Sequence, residues 1–337
     1  MQPRHPKTVG ILSISIIAFF LSACDRESTQ HGYRGTSMFN IVNPNETVKL
    51  VASNEIPMPI APAEQDGPKS REVFQNVQVL GDTSVAQLSR LMVSMTQWVA
   101  PQQGCAYCHL AEDYASDELY SKVVARRMLQ MTRHINTNWQ DHVVNTGVTC
   151  YTCHRGKSVP EYLWFASNAM PDTSGMARRR DGQNLADSQI TNSSLPYDPF
   201  STLLKDEQGE VKIISSTALP NGGIGTRHAT EETYALMIHM SQALGVNCLY
   251  CHNTRAFWDW KQSNPARATA WYGIRMVRNL NREYLVPLQS TFPANRLGPN
   301  GDGPKVFCAT CHQGVAKPLY GKSMLSDYPS LIATEQK

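Results

Sequence analysis

Cysteine and histidine carry the chemistry of this chain, and they do so in one repeated pattern. Four times it reads Cys-x-x-Cys-His: Cys105-Ala-Tyr-Cys108-His109, Cys150-Tyr-Thr-Cys153-His154, Cys248-Leu-Tyr-Cys251-His252 and Cys308-Ala-Thr-Cys311-His312. This spacing attaches a c-type haem: two thiols add across the porphyrin vinyl groups, and the adjacent histidine becomes the proximal iron ligand. Eight of the nine cysteines are used this way, so the expected cofactors are four covalently bound haem c groups. Other cysteine chemistries fit less well. Zinc ribbons place two pairs about 15–20 residues apart, whereas successive motifs here begin 45, 98 and 60 residues apart. Neither zinc nor a disulfide framework calls for a histidine after every pair.

A sixth ligand for each iron must come from elsewhere in the chain, which holds ten histidines and thirteen methionines. Methionine raises a haem potential and a second histidine lowers it, so this choice sets what each haem can do. Met92 and Met95, Met128 and Met131, and Met237 and Met240 are pairs three residues apart, each on one face of a helix. One member of a pair can bind iron while the other packs, and spacing leaves the choice open. A methionine taken singly is a core residue by default. The coincidence of Met92 with Met237 in the internal repeat favours ligation. For the fourth motif the repeat suggests Met276, but it stands 32 residues before Cys308, against 22 from Met128 to Cys150. His134, His142, His228 and His239 compete for that position.

The elements that must position these residues form a repeat. Leu91-Met92-Val93-Ser94-Met95-Thr96-Gln97 aligns with Leu236-Met237-Ile238-His239-Met240-Ser241-Gln242, each followed by a motif. Arg127-Met128 ahead of the second motif resembles Arg275-Met276 ahead of the fourth. The expected fold is therefore mainly α with long irregular loops, in two pseudo-symmetric halves, residues 84–156 and 228–314. Each half holds two helix-plus-motif units. Residues 157–227 connect them, with a basic cluster at Arg178-Arg179-Arg180 and a strand expected over 211–215. Residues 24–83, interrupted by five prolines, read as an extended arm that wraps a partner or the globular body. After His312 the chain is expected to trail off as a tail over 315–337.

Residues 1–23 read as an export signal: Arg4 and Lys7 precede an uncharged run too short for a spanning helix. Leu21-Ser22-Ala23-Cys24 resembles a bacterial lipobox, which would leave Cys24 amino-terminal, lipid-modified and anchored to the membrane. That places the body outside the cytoplasm. The formal net charge is +3, and haem propionates shift it further down, so nucleic-acid binding is not expected.

With these residues in view, the chain resembles the tetrahaem cytochrome c subunit of purple-bacterial photosynthetic reaction centres over residues 70–330. The likeness is carried by Met92 through Trp98-Val99 to His109, Val124-Ala-Arg-Arg-Met128, Asn136-Thr-Asn-Trp139 and Gly147-Val-Thr-Cys150 through Arg155-Gly156. Trp271-Tyr-Gly-Ile-Arg-Met276-Val-Arg-Asn and Cys308 through Gly314-Val-Ala-Lys-Pro-Leu extend it. The resemblance implies Met92 opposite His109, Met128 opposite His154, Met237 opposite His252 and His142 opposite His312. It also implies a near-linear haem array with alternating potentials and with the His252 haem nearest the bacteriochlorophyll special pair. Arg267 would lie near that haem and raise its potential. The implied partners are the core membrane subunits and a soluble electron donor, a small cytochrome c or a high-potential iron–sulfur protein. The implied place is the periplasmic face of the photosynthetic membrane. Glu112, Asp113, Asp117 and Glu118 are a candidate landing patch for a basic donor.

Overall fold

The computed structural model describes residues 26–166, 195, 198–207, 209, 211 and 227–333. Cys24, the Arg178–Arg180 cluster and the strand expected over 211–215, apart from Val211, lie outside these residues.

The arm begins as an antiparallel hairpin of β1 (Glu27–His31) and β2 (Met38–Val42), followed by α1 (Pro44–Ser53). Asn43 caps α1 by accepting from the Asn45 amide, and Pro44 suits a first helical turn, where no amide donor is needed. The arm then runs along the body. Arg90 donates to the carbonyls of Ile60 and Ala61, and Ser84 donates to that of Glu64. Residues 26–83 thus hold regular elements of their own, which the proline content had obscured.

The helices that matter for the motifs come in two series. The first is α2 (Val85–Val99), α3 (Tyr120–Asn138), α4 (Gln140–Val143) and α5 (Cys150–His154). After α6 (Phe200–Leu204), the second is α7 (Arg227–Leu244), α8 (Ala266–Leu280) and α9 (Cys308–His312). Ser84 and Gln87 open α2 with reciprocal side-chain-to-backbone bonds of 3.1 and 3.0 Å, a capping box. Its inner face buries Leu91 and Trp98. Burying a side chain of this size stabilises by about 2 kcal/mol.

Two apolar clusters form the core. One gathers α3, α6, α7, α8 and α9 around Leu204, Leu236, Ile274 and Phe307. The other packs Leu91 and Trp98 of α2 against Leu319, Met324, Leu325, Tyr328 and Leu331. The segment after His312 therefore does not trail off. It folds back in short 3-10 turns, and the Tyr328 ring meets Trp98 edge-on at 4.7 Å. Its apolar residues follow no helical or strand period, which is why no element was expected there.

Buried asparagines tie the ends of α3 and α8 to the residues just ahead of the motif helix that follows each. Asn136 Oδ1 accepts from the Val148 amide at 2.8 Å, and its Nδ2 donates to the Val148 carbonyl at 2.9 Å. Asn281 does the same to Val306, at 2.9 Å in both bonds. Gly156 donates to the Trp98 carbonyl at 2.8 Å, just as Gly314 donates to that of Ala243 at 2.8 Å. Asn136 with Asn281 and Trp98 with Ala243 share the offset of Met92 with Met237, while their partners Val148 with Val306 and Gly156 with Gly314 share a second, common offset. In the first register Met128 stands opposite Gly273 and Met131 opposite Met276. Aligning Arg127-Met128 with Arg275-Met276 is thus one helical turn out of step. Met276 is a buried core residue.

Candidate haem-binding site

Each motif histidine is held by the same device. The Nδ1–H of His109 donates to the Tyr114 carbonyl at 3.1 Å, and that of His154 to Lys157 at 2.9 Å. For His252 the acceptor is Phe257 at 2.7 Å, and for His312 it is Val315 at 3.0 Å. A carbonyl can only accept, so the proton sits on Nδ1 and the Nε2 lone pair is left for a metal.

The four motifs fall into two local geometries. The first and third lie in 3-10 turns, Gly104–Tyr107 and Cys248–Tyr250, and their rings stack on Tyr114 at 4.9 Å and Phe257 at 4.1 Å. The second and fourth are the short helices α5 and α9. Each opens with a threonine hydroxyl accepting a backbone amide, Thr152 from Thr149 and Thr310 from Phe307, at 3.0 Å in both. Each closes on a left-handed residue, Arg155 at φ 50° and Gln313 at φ 48°. That turn swings the chain back so that a carbonyl three residues after the histidine reaches its ring.

His142 carries the same signature as the motif histidines although no cysteine pair precedes it. Its Nδ1–H donates to the Thr269 carbonyl of α8 at 2.9 Å, and its ring centroid lies 6.0 Å from that of His312. Two imidazole–metal bonds of about 2 Å, plus the reach from each nitrogen to its ring centre, account for such a separation. The competing histidines are placed otherwise. His134 Nε2 receives the Trp139 indole N–H at 3.1 Å and meets the Asn279 amide at 2.9 Å. His239 is buried and stacked on Phe307 at 4.5 Å. The His228 side chain lies outside the described residues.

A cavity of about 1430 Å³ joins three of the motifs. Its wall includes Cys105, Cys108, His109, Cys150, Cys153, His154, Cys308, Cys311 and His312, with His142, Met92 and Met128. Single-ligand pockets run to about 1,000 Å³, so this one has room for more than one large group. Cys248, Cys251, His252 and Met237 stand outside that wall, and Met240 and Leu244 of the same helix line it. The second and fourth motifs are neighbours, with Cys153 and Cys311 sulfurs 2.9 Å apart.

Burial governs the electrostatics. It lowers the pKa of His142, His154 and His252, and with His142 nearby it takes His312 down to about 4. Neutral imidazoles are what a metal needs as ligands. Burial also pushes the thiols of Cys150 and Cys308 up to about 12 and those of Cys108 and Cys251 to about 11. All eight described cysteines are free thiols. Among the described residues no three His, Cys, Asp or Glu side chains converge as a zinc site requires. The residues present fit c-type haem, which supplies an iron that takes and gives one electron.

Arg267 lies beside the third motif. Its Nη1 donates to Ser263 Oγ at 2.6 Å, its guanidinium lies 4.1 Å over the Trp260 ring, and its charge acts on Cys251 and His252. The acidic patch after the first motif is partly spent within the fold. Asp117 takes both Arg126 nitrogens at 3.0 and 2.7 Å and sits 3.4 Å from Lys122, while Asp113 accepts from the Ala115 and Ser116 amides.

The family profile described as photosynthetic reaction centre cytochrome C subunit matches residues 23–332. The chain belongs to this family. It is 49% identical over 328 residues to the photosynthetic reaction center cytochrome c subunit of Rubrivivax gelatinosus, covering 96% of this chain and 89% of the relative. The subunit of the same description from Thermochromatium tepidum is 46% identical over 337 residues, covering 99% and 82% of the two chains. That of Roseobacter denitrificans is 40% identical over 349 residues, covering 97% and 92%. The subunit is thus an electron carrier in photosynthesis rather than an enzyme. Membership implies covalently bound c-type haem, core membrane subunits as partners and association with the photosynthetic membrane. No helix among the described residues is long and apolar enough to cross a membrane.

No motif in the sequence marks the roles of Asn136, Asn281 and Gly273. All three become visible when the offset of Met92 with Met237 is carried through to the second long helix of each half.

Proposed function

We propose that the subunit carries four haems and re-reduces the photo-oxidised special pair with electrons from a soluble periplasmic donor. Thioether links run from Cys105 and Cys108, Cys150 and Cys153, Cys248 and Cys251, and Cys308 and Cys311. The axial pairs are His109 with Met92, His154 with Met128, His252 with Met237, and His312 with His142. The observation that carries this reading is the shared Nδ1–H to carbonyl tether of His109, His142, His154, His252 and His312, which leaves five Nε2 atoms for iron. Met240 lines the shared cavity and Met237 does not, which favours Met237 as the partner of His252.

The four haems form a near-linear array in two pseudo-symmetric dihaem halves. Electrons enter near His109, pass by way of the His154 and His312 sites, and leave from the His252 side toward the core. Close approach of Cys153 to Cys311 supports the middle step. Arg267 favours the reduced state at the His252 site through its charge. With Asp117 engaged by Arg126 and Lys122, a basic cytochrome has Glu112 and Glu118 to meet, and an iron–sulfur donor remains the other class. Cys24 is lipid-modified and holds the subunit on the periplasmic face.

Flash absorbance spectroscopy on membranes containing the subunit tests the proposal. Haem oxidation is expected to keep pace with special-pair re-reduction. Haems that stay reduced while the special pair recovers would exclude the donor role.

A further inference from the structure

We infer that Gly273 selects histidine over methionine at the fourth haem site, because the space left by its missing side chain is the space His142 occupies. The inference rests on the reading of His142 as a ligand given above, and goes beyond it by naming the residue that makes it possible.

Asn136 and Asn281 set α3 and α8 in register, and counting back eight residues from each pairs Met128 with Gly273. Helix α8 therefore lacks a methionine at the position where α3 carries its proposed ligand. A Cβ on Gly273 would stand 2.5 Å from Cε1, 2.8 Å from Nδ1 and 3.2 Å from Nε2 of His142. Three atoms of one planar ring lie too close, and the ring is tethered, so a small rotation cannot relieve the contact. The tether comes from the same helix: one turn earlier, the Thr269 carbonyl accepts the His142 Nδ1–H at 2.9 Å. Helix α8 thus supplies both the gap and the hold.

Backbone geometry gives no other reason for glycine here. Gly273 is absent from the positive-φ residues and lies buried inside the regular helix α8, where glycine costs about 1 kcal/mol against alanine. In the first half the equivalent gap is closed by Met128 itself. In the second it is opened, and a ring from α4 of the other half enters to face His312 at 6.0 Å. Gly273 is a positioning residue that acts through His142.

The test uses the full-length holoprotein in its complex, with redox titration and ferric-haem spectra resolving the four sites. Gly273→Met is expected to raise the potential of one haem and to give it the long-wavelength methionine–iron absorption, with the other three unchanged. The double variant Gly273→Met with His142→Ala relieves the crowding and is expected to show the same methionine signature. It decides the matter if the single variant does not assemble. An assembled Gly273→Met protein whose four potentials and bis-histidine signature are unchanged would overturn the inference. So would a double variant lacking a new methionine signature. His142→Ala separates the two readings: if it alters no haem, His142 is not a ligand and the inference falls with it. If it alters one haem while Gly273→Met alters none, only the role of Gly273 is lost.

Discussion

Replacing Asn281 with alanine tests the tie between the long helix α8 and the motif helix α9. The side chain is fully buried and makes three bonds of 2.9 Å: Nδ2 to the carbonyls of Leu204 and Val306, and Oδ1 from the Val306 amide. Truncation takes the partner from the Val306 amide and the Leu204 carbonyl. The Val306 carbonyl still receives the Trp164 indole N–H at 2.9 Å. Each buried group orphaned in this way costs about 1–3 kcal/mol, so two of them cost about 2–6 kcal/mol. A domain has about 5–15 kcal/mol in all, which puts the variant near the limit of folding. The assay is urea unfolding of the holoprotein followed by circular dichroism in the Soret region. A lower midpoint at unchanged slope is expected, with faster hydrogen exchange at the Val306 amide. Asn136→Ala should behave alike, because Asn136 holds Val148 and the Leu331 carbonyl in the same way. A loss below about 0.5 kcal/mol in either variant, the range of an ordinary surface substitution, would refute the reasoning.

Two further perturbations follow from close packing and charge. Gly245 has φ +63°, and a Cβ there would lie 2.1 Å from the Gly314 carbonyl oxygen, so Gly245→Ala must displace backbone next to His312. A loss of more than about 2 kcal/mol is expected, against about 1 kcal/mol for Gly35→Ala, where φ is +81° with nothing within 4 Å; equal losses in thermal unfolding would show that packing plays no part. Arg126 holds the Asp117 carboxyl down at about 2, below the usual value of about 3.9. Its contribution is therefore present above pH of about 4 and is lost as pH falls through about 2. The pair is solvent-screened, so Asp117→Asn should cost no more than about 1 kcal/mol at neutral pH, less in high salt, and the difference from the parent should vanish in acid. A pH-independent difference would assign the effect to something other than this carboxylate.

How far the sequence reaches differs from residue to residue. The motif cysteines and histidines stand out in the sequence because the haem attachment proposed for them is local covalent chemistry, written in five consecutive residues. Their Nδ1 tethers were not, since these depend on where the chain turns next: a left-handed Arg155 or Gln313 in one geometry, a stacked Tyr114 or Phe257 in the other. The methionine pairs could be read as helix faces, yet not as ligand and neighbour, because residues three apart point the same way and only surrounding volume separates them. The family likeness supplied the assignment of His142; the repeat alone pointed to Met276, in a register one turn from the one that Asn136 and Asn281 define.

By itself the sequence determined the motif chemistry, the helical character, the internal repeat and the family. Only the tertiary structure decided that Gly273 makes room for the His142 ring, that the segment after His312 returns to pack on Trp98, and that Asp117 is spent on Arg126. The physical reason is common to all three. Each outcome depends on volume and charge brought together from distant parts of the chain, and neither leaves a period or a motif in the residues on either side.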